Sequence, residues 1–470
     1  ALDFAPGSGG ISFTADADRD GVGSVVMEDT VADTLNTHGR DIKISGASLT
    51  LGDINTIGFE GGELIATVDV NAGGAIPETG TQGTAIFTFT VPDLRQPVGN
   101  LDVRFSAAHT WDANLNVYLK SPSGTELKLF NNVGASGDNF QDTLLDDEAT
   151  TNINLGFSPF NRSFTPGGAG GLAVFQGENP KGTWRLSVTD NYDEDNGRLF
   201  RAGDTAPWGD AIGTQLLFRT PITRIRESGS INLNATNGSI NVGQLNTNNP
   251  VTAGGAIRLD ASGSITTGVI DSSSSVNGGA ITLRADGDIV TNGMLDSSSF
   301  SSSGKAGNGG AITLISDSGN ITTNDWLYSV SFSESGNAGN GGAITLTSDS
   351  GNITTNDWLY SVSSSFWSSG NARDGGTITL TSESGNITTN SGLISVSFSE
   401  SGNAGDGGAI TLSSNSGNIT TNSQLGSVSQ SSSGNARDGG AITLTSDSGN
   451  ITTNQDWYSY SYSQFGKTGD

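Results

Sequence analysis

Down the second half of the chain, apolar and polar residues alternate in short bursts that return at a nearly fixed interval. The phrase Gly-Gly-Ala/Thr-Ile-x-Leu starts at Gly254, Gly278, Gly309, Gly341, Gly375, Gly407 and Gly439, in steps of 24, 31, 32, 34, 32 and 32 residues. Within residues 343–347, Ile344 and Leu346 point to one side and Thr345 to the other, the period of a half-buried strand. A second burst, residues 351–356, is anchored by Ile353. A third, residues 358–363, alternates β-favouring residues with serine. Clusters such as Ser-Asp-Ser-Gly and Ser-Gly-Asn-Ala-Gly-Asn separate them and supply corners with positive φ. Three strands and three corners in about 32 residues predict one coil of a right-handed, triangular parallel β-solenoid.

An isolated coil has no partner for its backbone groups and no cover for its Ile and Leu. Stacking coils about 4.8 Å apart supplies both. Like residues then form columns, with Ile344 over Ile312 and Asn352 between Asn320 and Asn386, where amides exchange hydrogen bonds along the stack. With Ser228–Leu233 read as an earlier coil, about eight coils would span ~40 Å. In the third strand, Leu327, Leu359, Leu393 and Leu425 repeat with serine and are expected inside. Trp326, Tyr328, Trp358 and Tyr360 are expected outside. The same grammar at residues 39–56 parallels residues 229–247, so solenoid-like sequence brackets the middle of the chain. The expected division is 1–69 (solenoid-like segment), 70–219 (β-sandwich) and 220–470 (solenoid repeats).

In the middle, residues 85–90, 101–105, 115–119 and 184–188 alternate like strands, separated by turn signals at 121–125 and 179–183. The whole chain thus reads as an all-β protein, a parallel β-solenoid with an inserted or preceding antiparallel sandwich.

Composition narrows the function. The 68 glycines and only 15% charged residues, with periodic apolar positions, indicate ordered repeats. A formal charge of −27 argues against nucleic acid as a partner. No apolar run approaches the roughly 18 residues that cross a bilayer. The chain has no cysteine, which excludes disulfides and thiolate metal sites. Together with an acidic surface and a start at Ala1 that fits removal of a signal peptide, this points to a secreted bacterial protein.

The repeat phrases, with Gly39–Thr56 (Gly-Arg-Asp-Ile-Lys-Ile-Ser-Gly-Ala-Ser-Leu-Thr-Leu-Gly-Asp-Ile-Asn-Thr), resemble those of secreted filamentous-haemagglutinin-like β-helix proteins of cyanobacteria. In the middle, His109-Thr110-Trp111, Ser121-Pro122-Ser123-Gly124-Thr125, Asp146-Asp147-Glu148-Ala149 and residues 175–190 resemble the P-domain of subtilisin-like proprotein convertases. That resemblance implies a jelly-roll accessory to a protease, often a calcium binder. The family's Gly-Asp-Leu is Ala113-Asn114-Leu115 here, which removes one expected carboxylate. Asp138, Asp146, Asp147 and Asp190 remain as candidate calcium ligands, since a hard cation wants clustered oxygens.

A serine-protease triad needs Asp, His and Ser in one geometry, and the only histidines are His38 and His109. No nucleophile elbow, zinc-binding H-E-x-x-H or P-loop is present, so no catalytic activity is expected. The last coil breaks off where an eighth Gly-Gly phrase would follow. The expected role is therefore a subunit of an extracellular filament or sheath that joins itself head to tail. Ile451, Trp457, Tyr460 and Tyr462, with Trp326, Tyr328, Trp358 and Tyr360, are the candidate assembly or ligand surface. The alternative is a secreted adhesin that binds cell-surface or matrix polysaccharide through the aromatic stripe.

Overall fold

A computed structural model describes residues 1–470 except 1, 5–8, 19, 28–32, 61, 63, 78–81, 150, 157, 194–195, 222–223, 303, 367–369 and 470. Asp470, where the last coil was expected to stop, thus lies outside the described residues. The chain forms two compact units, one of residues 1–58 with 226–470 and one of residues 59–225.

The first unit is a parallel β-solenoid of three long sheets, two of ten strands and one of thirteen. One sheet stacks Ile-x-Leu strands such as Ile312–Ser316, Ile344–Ser348 and Ile378–Ser382, with Ile over Ile and Leu over Leu. A second stacks Ile-Thr-Thr strands, including Ile321–Thr323, Ile353–Thr355 and Ile387–Thr389. The third carries the Leu-Ser strands Leu359–Ser365, Leu393–Ser399 and Leu425–Ser431. Residues 42–46 pair directly with 231–235, so the early coils continue the same stack. Among the described residues its buried apolar core consists of Ile, Leu, Val and Ala, with Phe4, Phe13 and Met27 packed against it partly buried.

Polar residues complete that interior. Ser395 Oγ donates to the Gly376 carbonyl at 2.8 Å and accepts the Gly408 N–H of the next coil at 2.8 Å. Ser427 repeats this between Gly408 and Gly440. A Cβ on Gly376 would collide with the Gly342 carbonyl and with Ser361 Oγ. The glycine doublet is therefore required by close approach of neighbouring coils. Along the corners, Asn352, Asn386 and Asn418 each offer Oδ1 to the backbone N–H of the next asparagine at 2.8 Å. A second amide column runs through Asn324, Asn356, Asn390 and Asn422, with Nδ2–Oδ1 distances of 2.8–2.9 Å.

The second unit is antiparallel apart from the parallel pairing of Ser163–Phe164 with Phe140–Leu145. A four-stranded sheet orders Gly83–Val91, Gly182–Asp190, Leu115–Lys120 and Glu126–Asn131. A seven-stranded sheet is centred on Asn100–His109, which pairs with Phe140–Leu145, Gly197–Leu199 and Gln215–Arg219. The core between them is aromatic, with Trp184, Phe89, Phe105, Phe140 and Phe218 fully buried. Leu64–Asp69, placed by the sequence pattern with the solenoid, pairs with Gln215–Arg219 in this unit.

Candidate functional site

The four aspartates expected to hold calcium do not converge. Asp138 is exposed. Asp147 accepts the backbone N–H groups of Leu172 and Ala173 at 2.8 and 2.7 Å, fixing a short helical turn. Asp190 is buried against His109, Nε2 to Oδ2 at 3.2 Å, and accepts the Tyr192 N–H at 3.1 Å. Asp147 and Asp190 thus already serve local structural bonds.

Asp146 joins Asp102, from the strand Asn100–His109, and Glu148, two residues on in its own turn. Carboxylate oxygens of Asp102, Asp146 and Glu148 lie within 4.8 Å of one another. Arg219 Nε donates to Asp102 Oδ2 at 2.5 Å, and Asn100 donates to Glu148 at 2.9 Å. Burial pushes Asp102 up to about 7, with the Asp146 charge adding and Arg219 opposing. Burial also raises Asp146 well above the carboxylate range, with Glu148 adding to it. Burial works against the charge of Arg219, but Asp102, Asp146 and Glu148 outweigh it and hold the guanidinium protonated. The cluster thus has a resident cation supplied by the chain itself.

A second oxygen cluster lies in the solenoid unit and was not among the expected sites. Asp16, Asp18 and Asp20 bring carboxylate oxygens within 4.8 Å of one another. Asp16 accepts the Gly21 N–H at 3.1 Å and the Thr236 hydroxyl at 2.7 Å, and Asp20 accepts the Val22 N–H at 2.9 Å. The Thr236 hydroxyl is the main cause that holds the Asp16 carboxyl below its usual range. A polar basin of about 590 Å³ opens beside them, lined also by Asn237, Asp260 and Asp286. The signal in the sequence is Asp-x-Asp-x-Asp-Gly at 16–21, the spacing of oxygen ligands in calcium loops. The acidic twelfth position of such a loop is Met27 here, so the donor set is partial. An all-oxygen set of this kind suits a hard divalent cation.

The aromatic stripe lies outward, opposite the buried leucines and serines, yet its rings rest on the protein. Tyr328 is only 7% exposed, and it stacks on Tyr360 with centroids 5.4 Å apart and planes 8° apart. Trp358 stacks on Tyr360 at 5.6 Å, and Trp326 leans on Tyr360 at 5.7 Å. Trp358 also closes over Gly392, where any Cβ would strike its ring. Burial, with Asp357 and Tyr458 adding, pushes the Tyr360 hydroxyl up to about 12. Ile451, Trp457, Tyr460 and Tyr462 belong to the last described coil and are 44–49% exposed.

Among the described residues, no helix is long and apolar enough to cross a membrane. No match to the chain was found among curated proteins. Residues 98–201, which run from the edge of Asn100–His109 past Gly197–Leu199, match the family model of the proprotein convertase P-domain.

Proposed function

We propose that the chain is a structural subunit of an extracellular filament or sheath, secreted by a bacterium, with no catalytic role. The observation that supports this reading most is the sameness of the coils. From Ile231–Ala235 to Ile442–Ser446, every Ile-x-Leu strand meets its neighbour in one register. A coil of another chain would find the donors, acceptors and apolar columns that a coil of the same chain finds. Head-to-tail growth follows as the mode, because such a contact is heterologous and does not close on itself. The P-domain match supports an exported protein, since that module is found in secreted proteins.

Electron microscopy of the purified protein at high concentration, across ionic conditions, tests the reading, alongside the mass of the native polypeptide. Fibres that lengthen by end-to-end stacking of coils are expected. Strictly monodisperse monomers under all conditions would sink it.

A second reading, a secreted adhesin for polysaccharide, is favoured by the edges of Trp326 and Trp358 that remain partly exposed. Glycan-array binding that is lost in Trp326→Ala and Trp358→Ala while fibres persist would replace the first reading with this one.

A further inference from the structure

Two faces of the solenoid unit are polar on the outside and one is not. Outward positions of the Ile-x-Leu face hold hydroxyls, as at Thr347 and Thr381. The Leu-Ser face instead carries apolar columns. Val362 and Val396, both half-buried, stand in register in successive coils, and Val428, next in the column, is buried. Beside them Phe300, Phe332, Phe366 and Phe398 form a ladder with centroid separations of 6.2, 5.9 and 5.1 Å. No charged residue occurs in Leu359–Ser365, Leu393–Ser399 or Leu425–Ser431, in a chain of formal charge −27. Partly exposed acids appear at the rim, with Asp325 and Asp357 before the strands and Glu334 and Glu400 after them, while Asp296, in register with Tyr328, is fully buried.

We propose that this face docks a second copy of the chain, the two packing face to face about a two-fold axis. Strands about seven residues long at ~3.3 Å each, over about five coils at ~4.8 Å, give a face of ~550 Å². Two such faces bury ~1,100 Å², above the ~1,000 Å² that a specific interface needs. Period also selects the occupant. The valines of this column recur once per coil, and a second copy repeats at the same spacing. Its side chains therefore seat between these along the whole length, as in a steric zipper. Accessible like charge is confined to the rim, so added salt should strengthen the contact by screening it. The contact is lateral and closes at two copies, so it stands independently of end-to-end growth.

Sedimentation velocity of the full chain over a range of concentration and salt tests this. A discrete dimer is expected, tightening as salt rises. Val362→Glu combined with Val396→Glu should weaken it at least tenfold, while Thr347→Glu combined with Thr381→Glu on the polar face should leave it unchanged. Because the chain has no cysteine, a short bis-maleimide reads the same contact without burying a charge. It should join copies carrying Val396→Cys and not copies carrying Thr381→Cys. A monomer under every condition, equal responses of the two faces, or a ladder of ever larger species in place of a dimer would each overturn the proposal. The ladder would at the same time favour axial growth.

Discussion

The solenoid unit buries Ile, Leu, Val and Ala in columns of copies, whereas the sandwich unit closes around Trp184 and a set of phenylalanines, each in its own surroundings. In the first, the neighbours of a side chain are the same side chain one coil away. Stability is then close to a sum of coil terms and nearest-neighbour terms. In the second, Trp184 touches Phe175 and Phe218 at 5.1 and 5.8 Å, and no other place among the described residues repeats that contact. Such a core is expected to fail as one piece. Repetition spreads a defect along an axis, while a single aromatic core concentrates it.

Several substitutions press on that contrast. The largest effect is expected from Trp184→Ala, which removes a fully buried ring and its Nε1 hydrogen bond to Pro180 at 2.8 Å. A loss of about 3–5 kcal/mol should abolish the sandwich unfolding transition and leave that of the solenoid. Hydrogen exchange resolved by segment checks this, and simultaneous loss of protection in both units would break the contrast.

Leu380→Ala empties one position of a Leu column between Leu346 and Leu412. Roughly 2–5 kcal/mol should be lost locally. Exchange should quicken in the coils of Leu346 and Leu412 and stay unchanged at Leu259. Uniform quickening would mean that the stack unfolds as one cooperative body.

Acidity should act on the sandwich through Asp112. Its carboxyl is fully buried, and burial pushes it up to about 7 from 3.8, with hydrogen bonds from Ser158 and the Asn139 N–H opposing. The folded state therefore holds this proton more tightly than the unfolded chain does. That stabilisation is full below about pH 4 and is lost as pH rises towards 7. Denaturant titrations from pH 4 to 8 should show the decline, flattened in Asp112→Asn. A slope of the opposite sign, or one unchanged in the variant, would reject the assignment.

The smallest effect is expected from Asn386→Ala, which interrupts one rung of an exposed amide column. About 0.5–1.5 kcal/mol should be lost. A shift in the solenoid's thermal midpoint measures it, and no shift would assign register to the apolar columns alone.

These contrasts also explain what could be read from the chain alone. A period of about 32 residues places Ile344 over Ile312 without further information, because the partner of each coil residue is its own copy. Leu64–Asp69 has no such copy. Its partner Gln215–Arg219 is reached only through the fold, and for that reason the sequence pattern alone puts the strand on the wrong side of the boundary. The acidic run at 146–148 was visible as carboxylates, but the residues that occupy them lie far along the chain. Arg219 pairs with a residue 117 positions away, and Asn100 reaches Glu148 across 48. The aspartates at 16, 18 and 20 were legible as a spacing, yet they sit outside the strand grammar that organised everything around them.

The pairing of residues 42–46 with residues 231–235 sets a schedule for folding. Asp41 and Ser230, joined by a hydrogen bond, are 189 positions apart. Chain emerging first during synthesis must wait for its lasting neighbour until the whole intervening unit has been made. Closure of so long a loop is costly in entropy, but once Leu64–Asp69 lies beside Gln215–Arg219 the open path shrinks to the short stretches that flank them. The sandwich would act as a clasp whose closing lowers the entropic cost of bringing the earliest coils into the stack.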